Sequence, residues 1–228
     1  MYGTQRVTFM QYNGRVNSLI HALTSLGLKK DDRISLLSWN RLECTDVTGA
    51  AMKGGFIVSS FNPRMRVDEL DYIINDSEVC VLFVGPELEE TANQIRSRLP
   101  RVFHYISLEG KVHNMIGYQE LLASFSQEEP LAAVDESDPF ILFYTSGTTG
   151  VPRGAICRSY RKLEEARTKV FTIGIQPEHR HIMILPLFHD NLARYKAPRS
   201  MDFIESLPQN PPGKVLKQEL RAKYRETK

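Results

Sequence analysis

Short β-prone apolar runs alternate with amphipathic helical stretches through the first 110 residues, and this alternation constrains the fold more than any other feature. Ile34–Leu37, Phe56–Ser59, Val79–Val84 and Val102–Ile106 read as strands, with Arg6–Phe9 as a further one at the start. Between them, Gln11–Leu28 places Val16, Leu19, Ile20, Leu23 and Leu26 on one helical face, and Gly27 stands where such a helix stops. Leu42–Lys53, Val67–Asn75 and Glu87–Arg98 read as helices too. Strands separated by helices of this length predict a parallel sheet in an α/β domain.

The chain has 228 residues, 42% hydrophobic and 25% charged. That suits one large or two small globular domains and excludes disordered, collagen-like and coiled-coil classes. The longest strongly apolar stretches, Val79–Gly85 and Phe140–Tyr144, fall far short of the ~20 residues that span a bilayer. Met1–Met10 lacks the apolar core of a secretion signal. Cys44, Cys80 and Cys157 are odd in number and widely spaced, which fits a reducing, cytoplasmic setting and neither a disulfide framework nor a cysteine zinc site. Residues 1–190 carry 20 basic and 23 acidic side chains, whereas residues 191–228 carry 9 and 4. A basic tail suits an anionic partner or a solvated helix face. With no aromatic interleaving, no nucleic-acid partner is expected.

From Gly110 to Asp138 the periodicity weakens, and Glu128-Glu129-Pro130 and Asp135–Asp138 read as an acidic surface linker. Phe140–Tyr144 is an apolar strand that runs directly into Thr145-Ser146-Gly147-Thr148-Thr149-Gly150-Val151-Pro152-Arg153-Gly154. A loop of this composition lets backbone N–H groups converge without obstruction while hydroxyls donate further hydrogen bonds, which suits the oxyanions of a phosphate chain. Arg153 adds a fixed positive charge. No Gly-Lys-Ser/Thr follows at the P-loop spacing. Ser159–Lys169 reads as a helix and Ile182–Leu185 as a buried strand. After His189 come an extended basic stretch, a short strand at Asp202–Glu205, the proline-rich Pro208–Gly213 loop and a short helix at Val215–Tyr224.

Tyr144 to Gly154 resembles the signature loop of AMP-forming acyl-CoA synthetases and their adenylating relatives, with Arg153 where that family usually has lysine. Leu185-Pro186-Leu187-Phe188-His189 resembles the next family motif. Arg6–Gln11, Gly27–Arg33 and Asn62-Pro63-Arg64 resemble the early α/β region, and Asn191–Arg199 and Pro208–Lys217 the C-terminal end. The resemblance implies a parallel-sheet N-terminal subdomain of the adenylate-forming fold over residues 1–189 and a small α+β C-terminal remnant over 190–228. It implies that Thr145, Ser146, Gly147, Thr148, Thr149, Gly150 and Arg153 hold the β- and γ-phosphates of ATP and that His189 lies near the acyl pocket. Lys214 is the counterpart of the catalytic lysine that bridges substrate carboxylate and α-phosphate. The implied substrates and cofactors are a carboxylic acid, ATP, Mg2+ and coenzyme A.

In the family the Leu-Pro-Leu-Phe-His and Leu-Ala-Arg-Tyr-Lys-Ala-Pro motifs lie far apart, whereas here only two residues separate His189 from Leu192. The family's Tyr-Gly-x-Thr-Glu motif is absent from this sequence. The chain therefore reads as two family pieces joined near His189-Asp190, with a clipped N-terminal edge. Two functions stay open: ATP-dependent activation of a carboxylic acid to acyl-CoA, and a non-catalytic homologue that binds phosphates weakly or associates with other subunits. A missing half predicts an uncovered apolar face and self-association. His179, His181 and His189 have no carboxylate or cysteine partner at zinc spacing. Glu164-Glu165 reads as a solvated helix face, and Trp39 as packing near a strand end.

Overall fold

The computed structural model describes residues 6–145 and 152–174. Seven strands form one sheet in the order β5-β4-β3-β1-β2-β6-β7. They are β1 (Arg33–Leu37), β2 (Ile57–Phe61), β3 (Val81–Val84), β4 (His104–Ser107), β5 (Ile116–Gly117), β6 (Pro139–Thr145) and β7 (Arg153–Arg158). All pairings are parallel except β6 with β7. Among the described residues six α-helices accompany them: α1 (Phe9–Ser25), α2 (Leu42–Gly54), α3 (Val67–Asp76), α4 (Glu89–Ile95), α5 (Tyr118–Ala123) and α6 (Ser159–Ile173).

The pleat sorts the strand side chains into two cores. Ile34 and Leu36 of β1, Val81 and Phe83 of β3 and Ile106 of β4 pack with α1, α2 and α5. Their alternates Leu37, Leu82, Val84 and Tyr105 pack with α3 and α4. Strands buried on both faces read as continuous apolar runs, which is why these segments were legible as strands. The chain reverses direction across the sheet between β1 and β3, so their carboxyl ends flank a topological switch point.

Several expected boundaries move. Arg6–Phe9 is not a strand: Thr8 caps α1 through a capping box in which its hydroxyl accepts from the Gln11 N–H and the Gln11 side chain accepts from the Thr8 N–H. Two satisfied donors at the helix start outweigh the β-propensity of three residues. The Glu87–Arg98 helix shrinks to α4, flanked by 3₁₀ turns at Pro86–Leu88 and Arg96–Arg98. Gly27 does close α1, at φ +94°, and Gly55 closes α2 at φ +77°, both in the left-handed region that favours glycine.

The weakly patterned stretch before β6 contains β5 and α5, and its acidic part is strapped across α1 and α2. The Ser18 hydroxyl donates to the Phe125 carbonyl, Asn17 Nδ2 donates to the Gln127 carbonyl, and His21 Nε2 meets the Glu128 carbonyl. Glu129 accepts from Asn13 and pairs with Lys53. Lys30 reaches the Ala133 carbonyl and pairs with Asp138 at 2.7 Å. The expected linker is thus on the surface, as its charge implied, and is tied down along its length. No helix among the described residues is long and apolar enough to cross a membrane. The expected strand at Ile182–Leu185, the boundary at 189–190 and the C-terminal remnant lie outside the described residues.

Candidate phosphate-binding site

β6 runs parallel to β2, so it delivers Tyr144 and Thr145 to the same edge of the sheet where β1 to β4 end. β7 returns antiparallel, with Tyr144 opposite Gly154 and Thr145 opposite Arg153. The two ends of the Gly/Ser/Thr-rich loop are therefore clamped together by strand pairing. Arg153 and Gly154, expected in the loop, are the first residues of β7, and Arg153 is exposed there. A side chain at Gly154 would place its Cβ 3.0 Å from Leu142 Cδ1 and 3.4 Å from the Tyr144 ring. The missing Cβ lets the return strand close over β6.

The hairpin joins the rest of the sheet at a single registered pair, Val58 with Ile141, and its register is irregular between Pro139 and Ile141. Side chains supplement that rung. The Ser59 hydroxyl, buried, donates to the Leu142 carbonyl at 3.0 Å. The Tyr144 hydroxyl donates to Asp76 Oδ2 at 2.6 Å, and the Tyr144 ring lies 6.5 Å from that of Phe61. Burial, with the Asp76 carboxylate beside it, pushes the Tyr144 phenol well above its ordinary pKa, so it remains a donor at neutral pH.

A second polar region occupies the carboxyl edge on the α1 side, where an open cleft of about 560 Å³ is lined by Arg6, Arg15, Arg41, Glu43, Glu109 and Gln119 among others. Two of its arginines, Arg15 and Arg41, are already matched by acids. Arg15 donates through Nε and Nη2 to Asp46 Oδ2, at 2.9 and 2.6 Å, and Tyr118 donates to the same oxygen at 2.9 Å. Asp46 is fully buried and its Oδ1 has no hydrogen-bond partner, so desolvation raises its pKa despite the Arg15 guanidinium. Arg41 lies 3.6, 3.8 and 3.7 Å from Glu43, Glu87 and Glu109.

Of the expected site residues, Thr145 ends β6 and Arg153 opens β7, which brings their backbones together. Ser146, Gly147, Thr148, Thr149 and Gly150 lie outside the described residues, as do His189 and Lys214 and the histidines His179 and His181. Trp39 does follow the end of β1. It is partly exposed with the Arg64 guanidinium 5.2 Å over its ring, a contact that sequence reading missed. Asp46 and Asp76 were also missed. Asp46 carried one signal, an acid on the side of the Leu42–Lys53 helix that also carries Ala50 four residues on. Among the described residues no cluster of three His, Cys, Asp or Glu side chains could hold a metal ion.

A family model described as AMP-binding enzyme matches residues 1–196, more than four-fifths of the chain. The chain belongs to the AMP-binding enzyme family. Within it, the chain is 30% identical over 187 residues to the long-chain-fatty-acid–CoA ligase FadD13 of Mycobacterium tuberculosis, covering 81% of this chain and 36% of that one. It is 32% identical over 179 residues to the 3-methylmercaptopropionyl-CoA ligase of Ruegeria lacuscaerulensis, covering 75% and 33%. The inhibitor-bound crystal structure of the N-terminal domain of FACL13 from Mycobacterium tuberculosis superposes with a TM-score of 0.68 at 27% identity, covering 81% of this chain and 45% of that one. The α/β fold of this chain is therefore that of the N-terminal domains of adenylate-forming enzymes. The chain spans about a third of the length of the curated relatives it matches.

Proposed function

We propose that residues 1–189 are the phosphate-binding part of an AMP-forming acyl-CoA synthetase, followed by a C-terminal remnant over 190–228. In this reading Thr145, Ser146, Gly147, Thr148, Thr149, Gly150 and Arg153 hold the β- and γ-phosphates of ATP. The observation that carries it is the clamped hairpin, in which Thr145 and Arg153 face one another at the carboxyl edge of the sheet. Backbone N–H groups converging from such a turn, together with one guanidinium, match a phosphate chain.

The full reaction of such an enzyme joins a carboxylic acid to ATP with release of pyrophosphate, then transfers the acyl group from adenylate to the thiol of coenzyme A. The names of the relatives favour a fatty acid. His189 would lie near the acyl group and Lys214 would stabilise charge on the α-phosphate as the adenylate forms. Mg2+, which such ligases use, would offset phosphate charge when bound with ATP.

Adenylation requires the carboxylate, the α-phosphate and Lys214 to meet within about 3 Å. With two residues between His189 and Leu192 and no Tyr-Gly-x-Thr-Glu motif, the chain lacks the sequence that would position them. It therefore binds ATP through its phosphates, weakly and without regard to the base, and does not complete adenylation alone. Thr148→Ala combined with Thr149→Ala should weaken ATP binding about tenfold, two lost hydroxyl contacts. Tight ATP binding that rejects GTP would overturn the base-insensitive reading. Carboxylate-dependent exchange of labelled pyrophosphate into ATP should be undetectable with fatty, aromatic and short-chain acids. Exchange that Lys214→Ala abolishes would establish a working enzyme instead.

A further inference from the structure

β6 meets β2 at one registered pair and is seated in the core by Phe140 to Phe143, yet phosphate binding also needs the stems beyond them held still. Side chains from other elements add that constraint. Ser59 fixes Leu142 from β2, and Asp76, the last residue of α3, fixes Tyr144. Tyr144 is the more telling contact, because it directly precedes Thr145 and its ring also packs against Gly154 of the return strand. A hydrogen bond on that one side chain thus sets where both stems of the loop leave the sheet.

We infer that Asp76 is a positioning residue for phosphate binding: through the Tyr144 hydroxyl it fixes the stems of the loop between β6 and β7. The inference rests on the phosphate-binding reading of that loop. Asp76 contributes by geometry and opposes by charge, since a carboxylate near the site repels an anion. Those two effects have opposite signs, which makes them separable. Removing the carboxylate while keeping an acceptor, as in Asp76→Asn, preserves the tether and relieves repulsion. Removing both, as in Asp76→Ala, loses the tether.

The test titrates the full chain with inorganic pyrophosphate and follows amide hydrogen exchange at Phe143 and Tyr144. Tyr144→Phe and Asp76→Ala should each weaken pyrophosphate binding about fivefold, and the double variant no more than either alone, because both remove one shared contact. Asp76→Asn should bind as well as the wild type or better. The urea midpoint should stay within error in all four, and exchange at positions 143 and 144 should quicken in Tyr144→Phe, Asp76→Ala and the double variant but not in Asp76→Asn. Tighter binding in Asp76→Ala, additive losses in the double variant, or unchanged exchange in Tyr144→Phe would each overturn the inference. If the wild type binds no pyrophosphate, the phosphate reading falls by itself and the exchange rates decide the tether.

Discussion

Strands β1 and β3 share four registered pairs and bury side chains on both faces, whereas β6 meets β2 at one registered pair and β7 lies exposed along most of its length. The first region is held by apolar burial, which is non-directional and cumulative. In the second, β6 is seated by its buried Phe140, Ile141, Leu142 and Phe143, whereas β7 is held by its pairing to β6 and stays exposed. Burial makes the parallel core cooperative and hard to displace locally. β7, paired among the described strands with β6, can adjust more readily than that core, and segments that bind ligands are commonly drawn from such low-stability parts.

The contrast can be broken by mutation. Phe83→Ala removes a ring with no exposure that meets Tyr118 edge-on and should cost about 3–5 kcal/mol in urea unfolding. Ile156→Ala, at a residue 52% exposed on β7, should cost no more than about 0.5 kcal/mol. Equal costs would mean that the hairpin belongs to the same cooperative unit.

Two cysteines sharpen it, because Cys44 lies in the parallel core and Cys80 packs against it just before β3. Burial pushes the Cys44 thiol up, and burial with nearby Asp32 raises that of Cys80 to about 11. At pH 8 Cys44 and Cys80 should therefore be alkylated at least about tenfold more slowly in the folded chain than in the urea-unfolded one, as mass spectrometry of labelled peptides would report. Cys80 should gain reactivity only as the pH approaches 11. Because the folded chain keeps that proton longer than the unfolded one, Cys80 also lowers stability as pH rises from 9 toward 11.

The smallest effect concerns Asp46. Its carboxyl is raised in the folded state, so on acidification the native chain takes up this proton before the unfolded chain does. The group therefore adds stability as pH falls toward the ordinary aspartate value, against the trend of the paired surface acids. Asp46→Asn should make acid destabilisation steeper, by at most the single-proton slope of about 1.4 kcal/mol per pH unit. A shallower acid limb in the variant would show that Arg15 and Tyr118 hold Asp46 below its ordinary value instead.

The same division decided what the sequence could reveal. Runs such as Ile34–Leu37 and Val79–Val84 were legible because burial on both faces leaves an unbroken apolar signature, and Val67–Asn75 because α3 has one apolar face. β7, Arg-Gly-Ala-Ile-Cys-Arg, has no alternation, since an edge strand is specified by its partner and not by its own burial. α5, at six residues, is too short for helical periodicity to emerge. The chemistry of the loop was legible in its glycines, hydroxyls and Arg153. Its anchorage was not, because Tyr144 and Asp76 are 68 residues apart and neither has a local reason to be singled out.

The strap laid over α1 and α2 has a consequence for how the chain tolerates changes in length. An ordinary surface connection accepts inserted residues readily, since closure entropy grows slowly with loop size. Here successive carbonyls at Phe125, Gln127 and Glu128 are matched to Ser18, Asn17 and His21 on one helix, and Asp138 is pinned by Lys30 just before β6 begins. The segment behaves as a ruler. One residue gained or lost within it would slide those carbonyls off their partners and change the point at which β6 enters the sheet.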